Sequence, residues 1–237
     1  MWEWLFSSLD AAEPLDITVA VAWHGRTMVL AWGILSPVAV IAARYFKVLP
    51  GQDWPRELDS QIWWRSHWMG QLFVLGLSVF GLALVLPMNL SVLSLHGVLG
   101  CLVLAALAMQ IALGVFRGSK GGPTAPAPDG SLRGDHYDMT PRRRWFEILH
   151  KTIGYSLLAL ASATMFLGLV LANGPNWMWL SIVVWWAILL GFCGYYQRKG
   201  MAVSSYRAIW GDDPKHPGNV SGSNEIDNKL GDQPSSV

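Results

Sequence analysis

The sequence predicts an all-α fold, a polytopic membrane bundle of five transmembrane helices with a four-helix core. Hydrophobic residues make up 52% of the 237 positions and charged residues only 14%, where soluble domains carry about 25% charged residues. The mean hydropathy is +0.33. Five apolar stretches are each long enough for a hydrocarbon core of ~30 Å, and no Asp or Glu falls in the middle of any of them.

Residues 1–16 are acidic and lack Lys and Arg. A signal peptide needs a basic start and a continuous apolar core, so an uncleaved N-terminal interfacial segment with a short helix is expected. The first span runs from about Ile17 to Phe46 and contains His24 and Pro37. Proline removes a helix hydrogen bond, so a kink is expected there. A polar stretch with Pro50-Gly51 as turn signal follows. The second span covers about Ser66 to Met88, with His67 at its start. After a short turn at Pro87-Met88-Asn89, the third covers about Leu90 to Phe116 and contains His96.

Arg117 to Arg144 forms the longest loop, rich in Pro and Gly. The fourth span covers about Trp145 to Ala172, with His150 near its start. A tight turn at 173–176 leads to the fifth, about Trp177 to Tyr196, which has no histidine. The transmembrane domain is therefore 17–196, and 197–237 reads as a polar, largely disordered tail. Trp63, Trp64, Trp145, Trp177 and Trp179 flank the apolar runs as an interfacial belt. Cys101 and Cys193 read as small core residues rather than a disulfide.

Sixteen of the 17 basic residues fall in the first-to-second loop, the third-to-fourth loop, the tail and their edges. Only Arg26 lies on the other side. By the positive-inside rule, the N-terminus is outside and the C-terminus cytoplasmic. The expected location is a bacterial inner membrane.

Orientation turns position into depth at ~1.5 Å per residue. His24 and His96 fall at matching depth near the outer face, and His67 and His150 near the inner face. An ionisable side chain within a bilayer is costly and by default functional. Imidazole is a common haem ligand. Two bis-histidine haems, each gripped from opposite sides at one level, satisfy all four residues, with irons on the order of 15–20 Å apart. A proton relay usually recruits carboxylates as well, and a zinc or copper site gathers its ligands at one level. Gly25 and Gly97 follow the outer histidines. Gly70, Gly100 and Gly154 lie three or four residues after a histidine, on its face. There they leave room for a flat macrocycle or for close helix approach. No CxxCH is present, so covalent haem attachment is not expected. Tyr155 and Gln71 are candidates to support the ligands from behind, and His136 and His216 read as solvated.

Arg26, Arg65, Arg144 and Lys151 are the basic residues expected to pair with haem propionates, since guanidinium and ammonium groups suit carboxylates. Arg142 and Arg143 belong to the same crowd. Arg26 stands out because topology signals disfavour a basic residue on its side.

The stretches HGRTMVLAWGILSPVAVIAARY, RSHWMGQLFVLGL, LHGVLGCLVLAALAMQIALGVFRG and RWFEILHKTIGYSLLAL resemble the cytochrome b561 transmembrane domain. This is the family of ascorbate-dependent and ferric-reductase-type di-haem cytochromes. The resemblance covers most of residues 20–172 and implies haem ligation by four consecutive helices, paired first with third and second with fourth. His24, His96, His67 and His150 match those positions. Many members have six spans, and this chain is similar to the five-span, partner-linked ones. No residue matches the family's basic residue for ascorbate, so ascorbate is not carried over as donor.

The expected function is electron transfer across the membrane through two b-type haems, from a reductant at the inner face to an acceptor at the outer face. Donor and acceptor are small molecules or proteins, with no nucleic-acid partner. A homodimer or a separate redox subunit is left open, as is oxidoreductase activity of a ferric-reductase or quinol-linked type. Two rivals remain: a quinol-linked di-haem anchor for a partner redox protein, and a haem-free, proton-coupled transporter.

Overall fold

The structure, a computed structural model, describes residues 2–8, 17–57, 60–88, 94–117 and 141–213, with backbone alone at 141–144 and 209–210. All five predicted spans are helices. In chain order the elements are α1 (Trp2–Phe6), α2 (Val19–Tyr45), α3 (Ile62–Met88), α4 (Leu95–Val115), α5 (Pro141–Leu171), α6 (Asn176–Arg198) and α7 (Ser205–Trp210). There is no strand among the described residues, and α2 to α6 are each long and apolar enough to cross a membrane. The protein is an integral, multi-pass membrane protein.

Boundaries shift where the interfacial layer lets helices run past the hydrocarbon. The second span begins at Ile62 rather than Ser66, so His67 lies a turn further into its helix. The third begins later than predicted. Ser94 caps α4, its Oγ accepting from Gly97 N–H at 3.1 Å, an arrangement Ser favours because it satisfies a free helix N–H. His96 is therefore the second residue of its helix. The loop residues 118–140, with His136, lie outside the described residues, as do 89–93 and the tail from 214 with His216.

Pro37 shapes α2 differently from a simple kink. The helix is α-helical over Val19–Met28, π-helical over Val29–Leu35 and α-helical again over Ser36–Tyr45. Proline has no N–H to give the carbonyl four residues back, which is Gly33 O. Ser36 N–H reaches instead to Ala31 O, five residues back. The freed Gly33 carbonyl accepts from Trp185 Nε1 of α6 at 2.7 Å. This bond docks the histidine-free fifth span on the bundle. Trp185→Phe leaves that carbonyl without its donor and is expected to cost about 1–3 kcal/mol. In a Pro37→Ala background, where an N–H returns, the same change should cost less. Thermal unfolding in detergent of the two single variants and the double variant measures the difference.

The core is two antiparallel hairpins. α2 packs along α3, and α4 along α5. Across the seam between them, α3 meets α4, and the first half of α2 with its π segment meets α5. Trp32, Val74, Val103, Leu107, Leu157, Ala161 and Met165 fill the middle of the seam with Ala31. Trp32 Nε1 donates to Ser78 Oγ at 3.0 Å. Polar Ser36, Ser78, Gln110 and Thr164 are buried, while Phe73, Phe80, Leu190 and Phe192 are exposed on the outer surface. That distribution suits a hydrocarbon solvent.

Cys101 is exposed and Cys193 half-buried, so neither is the core residue predicted. A small apolar thiol gains nothing from burial when the surrounding solvent is itself apolar. The predicted N-terminal helix is α1. It is tied to the start of α6, where Asn176 N–H donates to Ser7 O at 3.0 Å and Asn176 Nδ2 to Trp4 O at 3.0 Å. In the turn before α6, Asn173 adopts φ 45°, a left-handed conformation Asn tolerates. The polar stretch after α6 contains the added helix α7. Lys47 Nζ donates to Val203 O just before it at 2.8 Å.

Candidate functional site

Each histidine reaches from one hairpin toward the other. His24 of α2 and His96 of α4 stand with ring centres 6.1 Å apart and planes at 80°. His67 of α3 and His150 of α5 stand 6.1 Å apart at 78°. These are the two pairs expected from depth. Two metal–nitrogen bonds of about 2 Å, plus the ~1.1 Å from each nitrogen to its ring centre, add up to about 6 Å. The observed ring spacing equals the one that a single metal ion held by both rings of a pair would require. Among the described residues no three His, Cys, Asp or Glu side chains gather at one point.

The ring nitrogens away from each gap are mostly tied down. His24 Nδ1 donates to Gly81 O at 2.8 Å, His67 Nδ1 to Ala39 O at 3.2 Å and His96 Nδ1 to Thr164 O at 3.0 Å. Donation from Nδ1 leaves the lone pair on Nε2, the form that binds metal. These bonds stay within a hairpin, whereas the pairs span the seam. They also give the separation of the two levels. Gly81 follows His67 by fourteen residues on α3, and Thr164 follows His150 by fourteen on α5, about 21 Å along either helix.

The glycines divide by role. A Cβ on Gly70 would lie 2.8 Å from Ala39 Cβ, and one on Gly81 2.8 Å from Met28 Cε and 3.2 Å from Thr27 Oγ1. Both allow α2 and α3 to approach within hydrogen-bond reach of the imidazoles. Gly154 faces Gln110 Nε2 at 3.4 Å from its would-be Cβ, whereas Gly25 and Gly100 face open space. Gly168, which the sequence did not single out, lies under His96. A Cβ there would be 3.0 Å from His96 Cε1.

A cavity of about 590 Å³ opens around His67 and His150, within the ~300–1,000 Å³ range of cofactor pockets. Trp32, Trp63, Trp64, Trp68 and Phe146 wall it. Phe146 stacks on His150 with centres 5.1 Å apart. Arg44, Lys47, Arg117 and Lys151 supply cations, with Glu147 the acid among them. Lys151 Nζ pairs with Glu147 at 3.0 Å, and Arg117 lies 3.9 Å over the Trp64 ring. The donor set, the paired spacing and a mostly apolar cavity with five aromatic walls and a rim of cations fit a flat macrocycle bearing carboxylates.

Of the four basic residues expected to pair with propionates, Lys151 lines the cavity. Arg65 does not, and it is exposed. Arg26 is exposed and lies 5.2 Å over the Trp23 ring. Each arginine is two positions from its histidine, about 200° around the helix, so the two cannot share a face. The side chain of Arg144 lies outside those described. Tyr155 and Gln71 also line the cavity but bond elsewhere. Arg44 donates to Tyr155 Oη at 2.9 Å and Ser36 Oγ to Gln71 Oε1 at 3.4 Å. Arg44, Lys47 and Arg117, which sequence position marks only as topology signals, are the cations that packing adds to the cavity. Gln110, a polar residue isolated in an apolar helix, also lines the cavity, and that isolation is the signal that could have found it.

The Lys47 ammonium, outside the spans, is pushed down to about 8 from the ordinary 10.5. Burial withholds water first, Lys151 and Arg44 repel it, and Glu147 offsets part of this. The folded value lies below the unfolded one, so between about pH 8 and 10.5 the unfolded chain binds more protons. Stability therefore rises with pH through that window. The Tm of the wild type, compared with that of Lys47→Met, is expected to climb from about pH 8 to 10 and to hold level below about pH 7.

A scan against protein families, curated proteins and solved structures finds no match to this chain.

Proposed function

We propose that the protein carries electrons across the membrane through two b-type haems, one held by His24 and His96 and the other by His67 and His150. The observation that carries this is the repetition of one arrangement at two levels. Two imidazoles from different hairpins face one another 6.1 Å apart at each level. The resemblance to the cytochrome b561 transmembrane domain points the same way. When bound, haem supplies one-electron exchange at its iron. The chain supplies three ligands, His24, His67 and His96, whose basicity is raised by bonds from Nδ1–H, and apolar walls and cations suited to propionates at the cavity around His67 and His150. Read with the positive-inside rule, the His67–His150 level is the cytoplasmic one, and the path runs from a reductant there to an acceptor at the outer face.

A reduced-minus-oxidised absorbance spectrum of the purified protein tests the proposal. It is expected to show a sharp b-type α-band with about two haems per chain. A colourless protein, without a Soret band, would end the proposal in favour of the proton-coupled transporter.

A further inference from the structure

Three of the four imidazoles have a main-chain carbonyl behind them. His24, His67 and His96 each donate from Nδ1 to the partner helix of their own hairpin. By the same pattern His150 on α5 needs an acceptor on α4. No carbonyl serves it: His150 Nδ1 is buried without a partner.

What α4 places there is a side chain, Gln110. It is 6% exposed and lines the same cavity as His150. Its Nε2 donates to His150 O at 2.9 Å, which stands the amide over that residue. Its Oε1 is also buried without a partner. A donor and an acceptor, both unsatisfied, thus lie on two residues already joined by a hydrogen bond. Buried polar atoms are nearly always paired.

We infer that Gln110 is a positioning residue for His150, its Oε1 accepting the Nδ1–H when Nε2 engages iron. The inference rests on the proposed haem function and assigns within it the support of the fourth ligand. Metal on Nε2 leaves the ring proton on Nδ1, so ligation itself creates the demand for an acceptor. That hydrogen bond makes the imidazole a stronger donor to iron and favours the oxidised state. The other three ligands lean on main-chain carbonyls, which no side-chain substitution removes. The His67–His150 haem is therefore the one whose potential a side chain sets.

Midpoint potentials of both haems, measured by spectroelectrochemistry on the full-length di-haem protein, test this. Gln110→Leu is expected to favour reduction of the His67–His150 haem about tenfold, or ~59 mV for one electron. Gln110→Glu keeps an acceptor and is expected to shift it the opposite way. The His24–His96 haem stays unmoved in both. Each variant loses the Nε2 donor to His150 O, and the Glu carboxylate lowers the potential by its charge alone, so the count of hydrogen-bonded Nδ1 protons separates a role limited to that bond from support of the ring. Shifts of one sign, or none, overturn the inference. Proton hyperfine spectroscopy of the unaltered protein decides even where the variants lose haem: four hydrogen-bonded Nδ1 protons are expected, and three overturn it. A wild-type chain without haem overturns the proposed function and this inference together, whereas same-sign shifts in a di-haem protein overturn the inference alone.

Discussion

On the proposed function, His96→Ala is expected to yield a folded chain with one haem in place of two, and with transmembrane electron transfer reduced to background. The variant removes one ring of a pair whose centres are 6.1 Å apart and leaves the other level about 21 Å away along the helices. Little of the fold should follow, because Ser94 and Gly97 still cap α4. Haem extraction and the α-band amplitude, both falling to about half, give the measurement. Free imidazole added to the variant should recover part of the lost band by filling the space over Gly168, whose would-be Cβ lies 3.0 Å from the native ring. Equal loss of both haems from a folded protein would contradict the pairing. His67→Ala is the mirror experiment and should spare the His24–His96 band.

Trp32→Ala should do the reverse, weakening both levels while removing no ligand. Trp32 is 3% exposed and belongs to a buried cluster with residues of all three other core helices. Deleting a buried tryptophan costs about 3–5 kcal/mol, part of it for the cavity left behind. It also leaves Ser78 Oγ without the indole donor at 3.0 Å. Trp32→Phe keeps most of the volume and loses chiefly that bond, for about 1 kcal/mol. Unfolding midpoints in mixed detergent should rank wild type, then Phe, then Ala. On the proposed function, haem retention should fall at both levels, more at His67–His150, whose cavity Trp32 walls, and an unchanged His24–His96 haem would show that the middle of the seam does not hold the two ends together.

Span number, span type and the two histidine pairs could be read from the chain because each depends on position along it. Apolar length gives the spans, and distance from the span ends gives the levels, even with α4 starting at Leu95 and α3 at Ile62. What could not be read depends on rotation about each helix axis. Arg26 and Arg65 are each close in sequence to a histidine, but helical phase turns both away from it. Arg44, Lys47 and Arg117 reach the cavity from other elements, which only the packing reveals. Pro37 announced a disturbance, but that its freed Gly33 carbonyl would be taken by Trp185, 152 positions away, depends on where α6 lies. Gln110 is hidden for a different reason. Its isolation in an apolar helix marked it, but what it touches is set by the α4–α5 pairing.

The seam between the hairpins has a consequence for biogenesis. Hydrogen bonds to the imidazoles close within each hairpin, while the imidazole pairs close between hairpins. Each hairpin can thus enter the bilayer and form its own bonds before its counterpart is made. On the proposed function, joining them is then a binding reaction with haem as the adhesive, and its completeness follows haem supply by mass action. On the same reading, a cell short of haem would accumulate chains whose hairpins are each internally bonded and are joined only by the apolar packing at the middle of the seam.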